Sequence, residues 1–488
     1  MDALTYLVYL LQSGLGNLAA YLAAHVLLCL LPAFFIAGAL TALVPKEAIT
    51  GFLGRNTPKY VSYPAAALAG SVLAVCSCTI VPIFAGIYKK GAGLGPAITF
   101  LFFAPAANIL ALAYTGVLIG GDLALARIVL SLAFGIGIGM IMALIFSRSD
   151  AAHDEETNEA FRGGVGMTAR TWAFLGLLVA LLIFGTLKVS LLTNDYAHIT
   201  LPIGGMDRFQ NALYQLVPFD ASKGEEGVSA QGAILIGLLG LIALSAWRGL
   251  GKVDEGYNRW TPVALGLSAL TLVVAATRMV PHAGGLDVYF TGKMFGVIVA
   301  MTGLWFVGRR YFADYEIQEW LWETWRFVRQ IFPLLIVGVF AVGVIRRFIR
   351  PEWIEALAGH NTLLGNLAGV IFGVFLYFPT LVEVPIAKMF LGLGMHRGPL
   401  LAYLMADPEL SLQSILILAT IIGQLKTWTY VAWVAIFSTL AGLIYGAWAD
   451  GASPWLLAAY LVASLAVLAL GLYLIGRRNA RLLAGAEQ

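Results

Sequence analysis

The sequence predicts an all-α polytopic membrane protein of about thirteen transmembrane helices, built around two pseudo-symmetric repeats with Pro-broken helices. Three observations carry that expectation. Hydrophobic residues make up 60% of the 488 residues and charged residues 12%, where a soluble domain carries roughly 25% charged residues. Apolar stretches long enough to cross a hydrocarbon core recur from end to end, and backbone in lipid must pair internally. That selects helices, because these segments are too long and too uniformly apolar for barrel strands. The third observation is a register. Pro82 and Pro385, Pro96 and Pro399, and Pro105 and Pro408 each lie 303 positions apart, and Gly91/Gly394 and Gly95/Gly398 keep the same spacing. Helices interrupted at matching places in two halves point to a solute site near the bilayer midplane.

In chain order, spans are expected near 18–44, 64–88, 96–119, 122–147, 170–192, 229–249, 259–280, 290–308, 328–347, 363–390, 398–421, 423–446 and 454–476. Residues 18–147 form the first repeat, 170–308 an inserted group of helices, 328–446 the second repeat and 454–476 a C-terminal helix. The first span is followed by no small-residue cleavage site, so it reads as a retained helix. Residues 147–170 are polar and charged and read as a loop, and 193–229 as a longer acidic loop. Residues 309–330 mix Trp320, Trp322 and Trp325 with Glu316, Glu319, Glu323, Arg326 and Arg329. Such a segment is too polar to span. It reads as an interfacial amphipathic helix leading into the next span, or as a cap packed on the protein.

The net charge of +3 is small and the basic residues sit in short connections. They read as topology determinants rather than a nucleic-acid surface. The implied partner is the lipid bilayer, and the implied location a multi-pass position in the cell (inner) membrane. Gly86–Gly95 lacks the spacing of a phosphate-binding loop and the strand that precedes one. No Ser/His/Asp or His-Glu-x-x-His constellation stands out, so neither an enzyme nor a cofactor is expected.

The candidate site begins at Cys76-Ser77-Cys78-Thr79-Ile80-Val81-Pro82. Proline removes its own N–H and collides with the carbonyl four residues back, so Pro82 is expected to open the helix at Cys78. In an unbroken helix Cys76 and Cys78 point about 200° apart. In a broken segment they can converge on one soft partner such as Cu(I), Zn or a trivalent arsenic-like centre. Any such metal is a transported substrate, not a resident ion. The other reading of the cysteines is packing, since free cysteine is common in cores. Asn108, just after Pro105, adds neutral hydrogen bonding near a second break. The later copy has no cysteine and offers Glu383 beside Pro385, then Asp407-Pro408-Glu409. Charges at depth in a membrane default to function. Glu383 and Asp407 are therefore the candidates for carrying a coupled proton, and a static ion pair of Glu383 with Lys388 is the competing role.

The stretch Ala74-Val75-Cys76-Ser77-Cys78-Thr79-Ile80-Val81-Pro82 through Gly91-Ala92-Gly93-Leu94-Gly95-Pro96-Ala97, continued by Ala104-Pro105-Ala106-Ala107-Asn108, resembles the ArsP-type permease family. The resemblance implies a multi-pass permease in which Cys76, Cys78 and Thr79 line the substrate path. Some members are linked to efflux of trivalent organoarsenicals or to metal handling. This chain departs from the compact members in its inserted middle spans, and it lacks a Cys/His-rich soluble segment. The expected function is a membrane permease with proton-coupled efflux of a thiophilic solute. The alternatives are a membrane thiol redox protein using Cys76 and Cys78, and a transporter of an unrelated small solute with structural cysteines.

Overall fold

The computed structural model describes residues 3–24, 26–55, 57–72, 77–160, 167–187, 189–217, 227–282, 284–348, 352–376, 383–453, 455–456 and 459–460. The chain opens with α1 (Ala3–Ala24), a π-helical turn (Val26–Leu30) and α2 (Leu31–Ala42). The axis bends by 52° between α1 and α2. Pro32 stands at the start of α2 and withholds the N–H that would continue the ladder from α1, so the wider π turn absorbs the break. Next come α3 (Lys46–Leu53), α4 (Lys59–Val72), α5 (Ser77–Lys89), α6 (Leu94–Ala106), α7 (Ile109–Leu118), α8 (Gly121–Ile145) and α9 (Ser147–Ala160). The middle of the chain holds α10 (Ala169–Thr186), α11 (Ser190–Thr193), β1 (Asp195–Leu201), α12 (Met206–Leu216) and α13 (Ala230–Gly249), which a 3-10 turn extends. It continues with α14 (Trp260–Ala276), β2 (Arg278–His282), β3 (Gly285–Thr291), α15 (Gly292–Tyr311) and α16 (Asp314–Ile345). The last part holds α17 (Glu352–Ala358), α18 (Leu363–Leu376), α19 (Glu383–Gly392), α20 (Arg397–Ala406), α21 (Leu412–Ile421) and α22 (Gln424–Ala449).

The chain is helical and polytopic, as its composition requires. Among the described residues, six helical stretches are long and apolar enough to cross a membrane, or seven if the bent α1–α2 pair is one span. The remaining expected spans are shorter pieces, such as α14 and α18, or pairs of pieces. The C-terminal helix expected at 454–476 lies almost wholly outside the described residues. The segment after 147 is helical over α9 rather than a loop. Its Ala and Glu residues have good helix propensity, which polarity alone does not reveal.

Two compact units divide the chain: residues 1–48, 74–90 and 164–348, and residues 49–73, 91–163 and 349–488. In the first, α16 packs on α1 and α2, α10 on α2 and α15, α13 on α14, and α5 on α2. The segment expected at the interface and the span after it are one continuous helix, α16, running through Pro333. Trp320 of its polar half donates its indole N–H to the Phe35 carbonyl at 2.9 Å. This unit also carries a small antiparallel sheet in the order β1-β3-β2, an addition to the all-α expectation. Thr200 of β1 pairs with Asp287 of β3 and donates its hydroxyl to the Asp287 carboxylate at 2.6 Å. That donation holds the Asp287 carboxyl below the usual aspartate range, with partial desolvation opposing it and His282 adding to it.

In the second unit α6 lies between α4 and α8, and α20 between α18 and α22. Every residue of α6 is buried, as expected of a helix that is apolar all round. The 13 residues of α6 and the 10 of α20 reach only about 20 and 15 Å at 1.5 Å per residue, less than a hydrocarbon core of about 30 Å. Both helices therefore stop part-way and hand over to α7 and α21. The bounds of α7 and α21 differ by 303 at both ends, as do the starts of α6 and α20 and of α8 and α22. Gly91 and Gly394 close the turns before α6 and α20 at φ 88° and 91°, a left-handed conformation that glycine adopts without strain. A Cβ on Gly139 of α8 would stand 2.6 Å from the Gly95 carbonyl oxygen, and one on Gly442 of α22 would stand 2.6 Å from that of Gly398.

Candidate functional site

The prolines do not all sit where helices stop. Pro82 lies inside α5, so the chain around Cys78 is helical rather than opened. Pro385 is the third residue of α19, inside the first turn, where a missing N–H removes no intrahelical bond. Pro105 is inside the last turn of α6, and the break follows it at 107–108. Pro408 alone lies in the break itself, directly after the C-cap Asp407 of α20.

Cys76 lies outside the described residues, and Cys78 is the second residue of α5. Thr79 is fully buried on the same helix. These residues belong to the first unit, and Asn108, Glu383 and Asp407 belong to the second. Asn108, 3% exposed, sits in the break between α6 and α7, and its carbonyl accepts from Leu112 N at 2.9 Å to start α7.

Glu383 and Asp407 are the predicted pair that the structure brings together. Both side chains are fully buried, and Asp407 lies beside Glu383. The partner of Glu383 is not Lys388, which is exposed. It is Arg127 of α8, whose Nη2 donates to Glu383 Oε1 at 2.7 Å with both side chains at 0% exposure. Arg127 also donates from Nε to the Ala106 carbonyl at 2.8 Å and from Nη1 towards Thr115 Oγ1 at 3.5 Å. The guanidinium thus ties the end of α6, α7 and the start of α19 together. The guanidinium balances the charge of one ionised carboxyl group of the two, and a buried site penalises any further net charge.

Glu409 completes the group, at 4% exposure. Its Oε2 accepts from the Tyr430 hydroxyl of α22 at 2.9 Å. Arg127 and Tyr430 were not identified from the sequence. The signal for Arg127 was present, because a single Arg inside the 25-residue apolar helix α8 meets the rule that selected Glu383. Tyr430 follows from Arg127, since it lies 303 positions later.

A Cβ on Gly70 would stand 3.1 Å from Ala104 N, and one on Gly373 would stand 2.8 Å from Asp407 N. Both residue pairs are again related by 303 positions. The motif-bearing segments and this buried cluster fall inside a region, residues 13–447, that matches the family model described as a predicted permease. The chain belongs to the ArsP-type family of predicted permeases. It is 32% identical over 452 residues to the UPF0718 protein MJ0584 of Methanocaldococcus jannaschii, covering 91% of this chain and 98% of that protein. It is also 28% identical over 124 residues to the UPF0718 protein YraQ of Escherichia coli, covering 25% of this chain and 35% of that one. No solved structure matches the chain. Family membership and several apolar helices together make this permease a multi-pass membrane protein.

Proposed function

We propose that this permease couples proton entry to the export of a small thiophilic solute, a trivalent organoarsenical or a soft or borderline metal ion, across the cell (inner) membrane. In this reading Cys76 and Cys78 bind the solute, Thr79 and Asn108 line its path, and the Glu383–Asp407 pair carries the coupled proton. Two repeats, 18–147 and 328–446, frame the path. The shared 303-residue spacing of α7 and α21, and of the Gly139 and Gly442 approaches, supports them. Four spans between them, 170–308, form an insert.

The observation that carries the proton role is the fully buried Glu383, paired with Arg127 at 2.7 Å and accompanied by the equally buried Asp407. With its proton, the pair and Arg127 are electrically balanced. Without it, two adjacent carboxylates face one guanidinium, and the low-dielectric surroundings penalise the extra charge. Gain and loss of that proton therefore switch the local charge between two states of different energy, which is what a coupling site needs. Thiolate binding of a soft ion displaces thiol protons, so solute and proton occupancy are chemically opposed.

The test is flux in everted vesicles under an imposed pH gradient, with arsenite, methylarsenite, Cu and Zn compared. Wild type is expected to accumulate at least one of them. Glu383→Gln keeps shape and hydrogen bonding, and Asp407 remains to balance Arg127. It is expected to bind solute and lose gradient-driven flux. Gradient-driven flux at the wild-type rate in a well-folded Glu383→Gln protein would rule out the coupling role.

A further inference from the structure

Positions 127 and 430 lie 303 residues apart on α8 and α22, and so do positions 106 and 409 at the ends of the two broken helices. Each pair makes a hydrogen bond. Arg127 Nε donates to the Ala106 carbonyl at 2.8 Å, and the Tyr430 hydroxyl donates to Glu409 Oε2 at 2.9 Å. The geometry is shared while the chemistry differs. In the first case a permanent cation meets a neutral carbonyl, and in the second a neutral phenol meets a carboxyl group.

Glu409 thus occupies a site distinct from the Glu383–Asp407 pair. The groups around it are Tyr430 from α22, the backbone at Ala106 of α6, and the more distant charges of Arg127 on α8 and Glu383 on α19. Arg127 already spends its short contacts on Glu383, Ala106 and Thr115. Among the described residues Glu409 forms no ion pair, and its Oε1, fully enclosed, has no hydrogen-bond partner. Four residues on, Gln413 is 0% exposed and neither end of its amide has a partner among the described residues. A buried carboxylate without a cation is too costly to persist ionised. The Tyr430 hydroxyl aimed at it keeps the ionised form accessible for part of a cycle.

We propose that Glu409, held by Tyr430, is a second proton-binding site, so that the cluster carries one proton on the Glu383–Asp407 pair and another on Glu409. The proton adds to a carboxylate oxygen and leaves from it, with no other bond changed. The count agrees with electroneutrality, since three carboxyl groups against one guanidinium need two protons. The consequence for transport rests on the proton-driven reading above. The protonation of Glu409 does not.

Infrared spectroscopy of the full-length protein in liposomes tests the site directly through the carbonyl stretch of protonated carboxyl groups at neutral pH. Glu409→Gln is expected to remove one component of that band and leave another, which Glu383→Gln removes instead. Tyr430→Phe keeps the carboxyl group but withdraws its donor, and is expected to shift the Glu409 component in frequency. If Glu409→Gln does not fold, the Tyr430→Phe shift decides alone. A spectrum unchanged in Glu409→Gln, or in a folded Tyr430→Phe when Glu409→Gln cannot be obtained, overturns the proposal. Flux then reads the stoichiometry. In wild type the limiting solute ratio should rise as the square of the imposed proton ratio, and in Glu409→Gln as its first power. First-power dependence in wild type also overturns the proposal while leaving a coupled Glu383 intact. Flux indifferent to the pH gradient would instead refute proton coupling, and the infrared band would still decide Glu409.

Discussion

Replacing Arg127 by methionine tests the buried cluster most severely. The side chain is fully buried and makes two short hydrogen bonds, to Glu383 at 2.7 Å and to the Ala106 carbonyl at 2.8 Å. Methionine fills much of the volume but leaves an uncompensated carboxylate and an unpaired carbonyl. Removing one partner of a buried pair costs about 3–5 kcal/mol, and the stranded carbonyl alone accounts for about 1–3 kcal/mol of such losses. The single change Arg127→Met should therefore destabilise by about 3–5 kcal/mol. In the double variant Arg127→Met/Glu383→Met the ion pair is gone, Asp407 stays neutral by keeping its proton, and the Ala106 carbonyl remains unpaired. Its cost should fall to about 1–3 kcal/mol, less than that of Arg127→Met alone. The assay is denaturant unfolding of the purified protein in mixed micelles, run as a double-mutant cycle. Lys388→Met serves as the control. Lys388 is exposed and should neither change stability nor rescue Glu383→Gln. If Arg127→Met is as stable as wild type, or the double variant is worse than the sum of the singles, the ion pair does not hold these helices together and the cluster has been misread.

Three further outcomes are expected. Cys76→Ser and Cys78→Ser should each abolish export in vesicles while leaving the protein inserted, because oxygen replaces the soft donor; wild-type flux of every thiophilic solute in the double variant would contradict this. Gly442→Ala should destabilise by about 1–3 kcal/mol through overpacking, because the new methyl would strike Asn366 Oδ1 and stand 2.9 Å from the Ala402 Cβ; unfolding in micelles measures it, and Gly139→Ala should behave alike. The β1–β3 pairing should weaken on acidification. The carboxyl of Asp287 titrates below its unfolded value, so its contribution is present above the ordinary aspartate range and disappears as pH falls through the lowered value; hydrogen exchange of β3 amides reads this, and Asp287→Asn should remove the dependence.

The helical, polytopic character was legible in the sequence because it rests on hydropathy, whereas the expected thirteen spans were not: six or seven helical stretches among the described residues are long and apolar enough to cross a membrane. The prolines were less informative than their chemistry suggested. Pro385 falls in a first turn, where a missing N–H is harmless, and Pro82 is accommodated inside α5. Helix continuity depends on what packs around a proline, and that is not written locally. The β-sheet escaped notice for a related reason. Its strands β1 and β3 pair residues about ninety positions apart, such as Thr200 and Asp287, and each is only seven residues long, too short to stand out among the long apolar helices. Glu383 and Asp407 were found as isolated charges in apolar surroundings. Their true partner was missed because proximity in sequence favoured Lys388, five residues away, over Arg127, 256 residues away.

The positions that differ between the related segments explain why the cluster is acidic and yet can exist. Where the later segment has Glu383, Asp407 and Glu409, the earlier has Ile80, Ala104 and Ala106, and where the later has Tyr430 the earlier has Arg127. The positions set by backbone approach, Gly139 and Gly442 against Gly95 and Gly398, keep glycine in both. Steric constraints are thus common to the two segments, and charge is divided between them: the acids come from one and the only ion-paired cation of the cluster from the other. If both segments carried the acids, six carboxyl groups would be buried with no fixed positive charge. If both carried the arginine, two cations would face alanines. The complementary division leaves a single buried site whose charge is closed by mobile protons, and it makes Arg127 the one residue whose loss should be felt equally at α6, α7 and α19.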